Sequence, residues 1–167
     1  MIAPAIIHLQ SRDAAETRAV GERIGRLAAA GVIILLHGDL GAGKTTLTQG
    51  IASALGIVEP IQSPTFTLVA EHDGHDQSGN PLRLYHLDLY RLDDPADLES
   101  FGFDEYLTAP DGFAVIEWPE RAGPLLPTSY LLVQLTAAGA DTRHITIQAI
   151  PDAGLYTGWI ERLGPAE

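Results

Sequence analysis

The sequence predicts a single-domain α/β sandwich with a mixed central sheet. Three observations carry that expectation. The apolar run Val32-Ile-Ile-Leu-Leu36 has the length and β-branched character of a strand covered on both faces. Phe66 to Glu71 and Leu82 to Leu89 read as two strands joined by a polar hairpin loop, so at least one strand pair is antiparallel. Segments of helical periodicity flank these strands, and strands that alternate with helices build layered α/β architectures. A length of 167 residues suits one domain spanning residues 1–167.

Taken in order, Asp13 to Ala30 is the first expected helix. Asp13 can cap it, and Glu16 stands three residues on. Thr17, Val20, Ile24, Leu27 and Ala28 share one face, and Gly31 supplies a stop. After the Val32–Leu36 strand and a glycine-rich loop, a helix from about Lys44 to Leu55 ends at Gly56. The stretch His72-Asp-Gly-His-Asp-Gln-Ser-Gly-Asn-Pro81 is the hairpin loop. Asp94-Pro95 places a cap before a proline at the first helical position and opens a helix toward Leu107. Phe113 to Glu117 is a further buried strand. Tyr130 to Thr136 and His144 to Ile150 alternate, as antiparallel edge strands do. A helix from about Leu155 to Leu163 follows.

Composition narrows the function classes. Apolar residues make up 46% and charged residues 19%, which is ordinary for a folded globular chain. No apolar run approaches the roughly 20 residues that span a bilayer, so no membrane partner is expected. The opening Met1-Ile-Ala-Pro-Ala-Ile-Ile7 has neither a basic region nor a cleavage signal, so a cytoplasmic protein is expected. Cysteine is absent, which excludes disulfides and thiolate chemistry. The net charge of −12 does not suit a protein that grips nucleic acid unaided, which needs a basic face. Nine of the ten basic residues are arginines, and the single lysine is Lys44. In a chain otherwise restricted to arginine, that site calls for a compact ammonium rather than a planar fork.

Lys44 lies in the loop Gly38-Asp39-Leu40-Gly41-Ala42-Gly43-Lys44-Thr45, followed by Thr46. Phosphate binding needs consecutive backbone N–H groups aimed into one concavity, and bulky side chains would block it. Glycines at 38, 41 and 43 let the chain wrap closely. A helix beginning near Lys44 turns its positive end toward a phosphate. Lys44 can reach β- and γ-phosphate oxygens, and the Thr45 hydroxyl can ligate Mg²⁺. By residue frequencies such a motif arises by chance in on the order of one chain in a few hundred. Here it also stands between a buried strand and a helix, the context its mechanism requires. ATP or ADP with Mg²⁺ is therefore the expected ligand, and the fold is P-loop NTPase-like.

Mg²⁺ calls for a carboxylate near the end of a neighbouring strand. Glu117 ends the apolar Phe113-Ala-Val-Ile116 and precedes Trp118-Pro119, where the chain must turn. Asp88 lies within the apolar and aromatic His86-Leu-Asp-Leu-Tyr-Arg91, where a carboxylate is costly unless it meets a metal or a donor. Ser63-Pro64-Thr65-Phe66 has the spacing of a switch loop that brings a hydroxyl to a γ-phosphate.

Together, Gly38 to Thr46, Ser63-Pro-Thr-Phe66, His86-Leu-Asp-Leu-Tyr-Arg91 and Ile116-Glu-Trp-Pro-Glu120 resemble the motifs of the bacterial TsaE family, once called YjeE, in the family's order. The resemblance covers nearly the whole chain. It implies an ATPase component of tRNA threonylcarbamoyladenosine biosynthesis, working with the TsaB–TsaD pair on adenosine 37 of tRNAs that read codons beginning with A. By that resemblance Thr45 and Glu117 hold Mg²⁺, Asp88 serves hydrolysis, Thr65 is the switch hydroxyl, and Trp118 with Tyr90-Arg91 supports the site. Thr17 and Arg143 fall where the family contacts nucleotide outside the loop. The acidic charge agrees with tRNA being held by the partners.

Two other functions use the same loop. A small-molecule P-loop kinase needs an arginine-bearing lid, whereas Arg83, Arg91, Arg121 and Arg143 are scattered. A nucleotide-dependent scaffold would not require hydrolysis, and Asp88 would then be structural. Among the remaining features, His72, Asp73, His75 and Asp76 read as solvated turn residues. His86 reads as a satisfied strand histidine, and Trp159 and Ile160 as core.

Overall fold

A computed structural model describes residues 5–151 and 154–164. Most of the opening segment read for a leader, residues 1–4, lies outside them. The chain runs β1 (Ile6–Ser11), α1 (Ala14–Gly25), β2 (Ile33–His37), α2 (Lys44–Ala54), β3 (Val69–His75) and β4 (Pro81–Asp88). It continues with α3 (Asp97–Phe101), α4 (Phe103–Leu107), β5 (Gly112–Glu117), a 3₁₀ segment (Pro119–Leu125), β6 (Tyr130–Ala137), β7 (Arg143–Ile150) and α5 (Thr157–Leu163).

The strands form one seven-stranded sheet in the order β1-β7-β6-β2-β5-β4-β3. β6, β2, β5 and β4 run parallel to one another, whereas β7 is antiparallel to β6 and β1, and β3 to β4. β2 is central because Ile33, Ile34, Leu35 and Leu36 are buried on both faces. Ile34 and Leu36 pack with α1, α2 and α5, and Ile33 and Leu35 pack with α3 and α4. Each such side chain contributes about 1.5–3 kcal/mol of burial. The result is three layers, and no helix among the described residues is long and apolar enough to cross a membrane.

The α1–α2 contact is unusually close. A Cβ on Gly21 would lie 2.1 Å from the Leu47 carbonyl oxygen, and one on Gly50 would lie 2.0 Å from that of Arg18. Backbone therefore meets backbone, which fixes α2 and the loop before it against α1.

Several expectations need correction. β1 was not anticipated. β6 and β7 are antiparallel to each other as expected, but neither is an edge: β6 lies against β2, and β1 takes the edge beyond β7. The first helix stops at Gly25, and its last turn tightens through Leu27 N–H to Ile24 O and Ala28 N–H to Gly25 O. The helix expected from Asp94-Pro95 begins only at Asp97 and is split at Gly102, whose φ of 81° no continuing helix adopts. The expected strand from Phe66 begins at Val69, because Leu68 is left-handed with φ 66°. The hairpin is shorter than expected: β3 runs to His75, and Asp76 closes the turn by accepting from Ser78 and Asn80 N–H.

Candidate functional site

The loop between β2 and α2 needs glycine at two points. Gly41 has φ 78° and Gly43 φ 107°, conformations that other residues adopt at a cost. Gly43 caps α2, yet no side chain accepts from the first-turn N–H groups, and no acidic residue lies in that turn. α1 is finished differently: the Asp13 carboxylate accepts the Glu16 N–H at 2.8 Å. The start of α2 thus presents orphan donors and the positive end of a dipole to an anion.

Lys44 is buried, and its ammonium donates to the carbonyl oxygens of Gly38 at 2.6 Å and Asp39 at 2.9 Å. Its remaining face lies 4.3 Å from the centre of the Trp118 ring. Burial lowers the Lys44 pKa, while Glu117, Asp88, Glu120 and Asp39 pull it back up. Trp118 is left-handed at φ 57°, a backbone costing on the order of 1 kcal/mol. The contact with Lys44 and packing on Tyr90, with ring centres 4.9 Å apart, hold it there.

β2, β5 and β4 end side by side, so the loop faces Glu117 and Asp88 at the carboxyl ends of parallel strands, where α/β sheets place ligands. Asp88 and Glu117 are direct neighbours in register, and both are almost fully buried. Asp88 accepts from the Ser63 hydroxyl, from Thr65 Oγ1 at 3.3 Å and from Tyr90 N–H at 2.9 Å. Glu117 Oε2 accepts from Ser63 at 3.3 Å and lies 2.6 Å from His86 Nε2. Among the described residues no lysine or arginine reaches ion-pair distance of either acid; the only such partner is His86. Two adjacent carboxylates at low dielectric favour a cation between them.

A cavity of about 330 Å³ joins these parts and is lined by Lys44, Thr45, Thr46, Ser63, Thr65, Asp88 and Glu117, with Tyr90 and Trp118 at its wall. Leu40, Gly41 and Gly43 also line it, while Gly38, Asp39 and Ala42 face a second cavity of about 300 Å³ across the loop. Thr17 and Arg143 border a smaller one of about 110 Å³. Both already have work within the fold. Thr17 shares a 2.7 Å hydrogen bond with the Ser11 hydroxyl. Arg143 donates to the loop carbonyls of Ala42 at 3.0 Å and Gly41 at 3.1 Å, and to those of Gly139, Ala140 and Thr142.

Two contacts were not assigned from sequence. Ser63 meets both acids, although Thr65 two residues on was the hydroxyl singled out. His86 meets Glu117, and the expectation of a satisfied strand histidine is half right, since among the described residues its Nδ1 has no partner. The i, i+2 spacing of His86 and Asp88 on one strand face was the available signal.

Donor chemistry of this kind suits Mg²⁺, which takes few carboxylates and completes its shell with hydroxyls, phosphates and water. Thr45 and Glu117, which both line the cavity, are the residues that could hold it.

The sheet order, the glycine loop leading into an uncapped helix and the acids at the adjoining strand ends define a P-loop NTPase-like domain. Comparison with known proteins narrows the class. The family profile described as "Threonylcarbamoyl adenosine biosynthesis protein TsaE" matches residues 11–145. A protein named tRNA threonylcarbamoyladenosine biosynthesis protein TsaE from Bacillus subtilis is 39% identical over 135 residues, covering 81% of this chain and 80% of its own. One of the same name from Nostoc is 43% identical over 138 residues, with 81% of each chain covered. The crystal structure of Bacillus subtilis YdiB superposes with a TM-score of 0.77 at 32% identity, covering 98% of this chain and 97% of that one. The chain belongs to the TsaE family.

Proposed function

We propose that this chain is a Mg²⁺-dependent ATPase that acts with the TsaB–TsaD pair in forming N6-threonylcarbamoyladenosine at position 37 of tRNAs reading codons that begin with A. The observation that carries the ATPase reading is the uncapped start of α2, with the only lysine of the chain, facing two buried neighbouring carboxylates. Family membership and the names of the relatives support the tRNA modification pathway.

In this reading the loop N–H groups and the α2 dipole bind the β-phosphate. Lys44 exchanges its Gly38 and Asp39 carbonyls for β- and γ-oxygens. Thr45 and Glu117 hold Mg²⁺, which neutralises phosphate charge and orients the γ-phosphoryl group. Asp88, its rotamer fixed by the Ser63 hydroxyl and the Tyr90 N–H, orients the attacking water and takes its proton. Thr65, whose bond to Asp88 is long at 3.3 Å, turns its hydroxyl to an incoming oxygen.

Two large apolar side chains are exposed here: Leu40, which lines the cavity, and Phe66, next along the chain from the lining Thr65. The Arg91 guanidinium lies 4.4 Å from the Phe66 ring centre. A protein partner seated on them would close the site from water, which fits a slow intrinsic ATPase completed by its partners. tRNA then meets the partners, because the net charge of −12 repels phosphate. Phosphate release from ATP by the purified chain, with and without the TsaB–TsaD pair, tests the proposal. Absence of release in both conditions would leave only a nucleotide-binding role.

A further inference from the structure

His86 is fully buried, on the sheet face where Leu84 and Val115 pack into the core. Its ring Nε2 lies 2.6 Å from Glu117 Oε2, and a carboxylate oxygen only accepts, so Nε2 carries the hydrogen. Nδ1 is buried without a partner. For the fold the histidine carries a cost, because it buries an unpaired polar atom. The histidine therefore makes sense through what its one bond does. Among the described residues, the donors that reach Glu117, His86 and Ser63, both act on Oε2. Oε1 is left free of those bonds, and Glu117 lines the cavity.

We infer that His86 is a positioning residue: its Nε2–H fixes the rotamer of Glu117 so that a single carboxylate oxygen is presented to Mg²⁺. The inference rests on the proposed role of Glu117 as a metal ligand. Hydrogen bonds behind a metal ligand hold its orientation, and losing one weakens metal affinity about 10–100-fold. Ser63 shares Oε2 only at 3.3 Å and is also committed to Asp88, so it does not replace the histidine.

The test follows binding of fluorescent mant-ADP by the full chain, titrated with Mg²⁺ and repeated in EDTA, for the wild type, H86L, H86Q and E117Q. In His86→Leu the Mg²⁺ midpoint should rise at least about tenfold. Affinity in EDTA should stay at the wild-type value, a pattern that general structural damage would not give, while the melting temperature falls because Glu117 Oε2 loses its shorter donor. His86→Gln places an amide N–H near the former Nε2 and should recover most of the loss. In the metal-free wild type, long-range ¹H–¹⁵N spectra should show the His86 ring protonated at Nε2 with a bare Nδ1. If Glu117→Gln keeps the wild-type Mg²⁺ midpoint, the metal-ligand reading falls, and this inference with it. If Glu117→Gln loses Mg²⁺ but His86→Leu does not, only the role of His86 is overturned. Should His86→Leu fail to fold, the ring spectrum decides: an Nε2–H ring with a bare Nδ1 supports the inference, and an Nδ1–H ring overturns it.

Discussion

Replacing Asp88 with Asn separates chemistry from binding more cleanly than any other change at this site. The amide keeps the size of the carboxylate, and its oxygen can still accept the Tyr90 N–H that Asp88 Oδ1 accepts at 2.9 Å. At the other position an NH₂ group stands where Oδ2 accepts from Ser63 and Thr65. Both donors are hydroxyls, which can rotate and accept instead. The change also removes one of two adjacent buried like charges, so the fold should be as stable as wild type or more so. What is lost is the acceptor proposed to orient water. Removing a positioned general base lowers a rate by roughly a hundredfold or more, about 2.7 kcal/mol of barrier. ATP·Mg²⁺ affinity should stay within a few-fold, because a group acting in the transition state contributes little to ground-state binding. Mant-nucleotide binding, single-turnover phosphate release and thermal melts measure the three quantities. Undiminished release in D88N would refute the assignment, and loss of binding equal to loss of rate would move Asp88 to the metal.

Lys44→Ala should abolish productive nucleotide binding, with a melting temperature near wild type, because among the described residues the ammonium contacts two carbonyls and the Trp118 face. Lys44→Arg should be nearly as damaging, since a planar fork does not fit that cage; wild-type hydrolysis in this variant would contradict the argument. Glu117→Gln should weaken nucleotide binding in Mg²⁺ far more than in EDTA, and equal losses would make Glu117 structural. Tyr156→Phe should leave catalysis intact but strand the Ile33 N–H, which donates to the Tyr156 hydroxyl at 2.7 Å in the core. The expected loss is about 1–3 kcal/mol, or about 2–4 °C of melting temperature for each kcal/mol. Gly50→Ala should destabilise more than an ordinary helix-surface change, because its Cβ would meet the Arg18 carbonyl at 2.0 Å. A melting temperature at or above wild type would show that α1 can give way.

Features governed by local chemistry were legible in the sequence. The Val32–Leu36 run, the glycine loop and the strand-end Glu117 each state their role within about ten residues. β1 could not be read in that way. Ile6-Ile-His-Leu-Gln-Ser11 is short, and the partner that stabilises it, β7, lies more than 130 residues away. The same long-range pairing moved β7 from the edge to the interior. Asp94 to Leu107 was misjudged because a helical pattern outweighed one glycine, and Gly102 at φ 81° decides the break. At the site, spacing along the chain singled out Lys44, Asp88 and Glu117. It could not reveal that Ser63 bridges the two acids, or that Arg143 spends its guanidinium on backbone carbonyls, since those depend on where separate loops meet.

The central claim is that the cavity between the α2 start and the Asp88–Glu117 pair hydrolyses ATP. Its most direct measurement is phosphate release from ATP·Mg²⁺ by the purified chain, alone and with the TsaB–TsaD pair, with D88N alongside. The account predicts slow release by the chain alone, faster release with the partners, and a loss of roughly a hundredfold in D88N under both conditions. No release with the partners present, while they still modify tRNA repeatedly in its company, would contradict it and leave ATP binding as the whole of the protein's contribution.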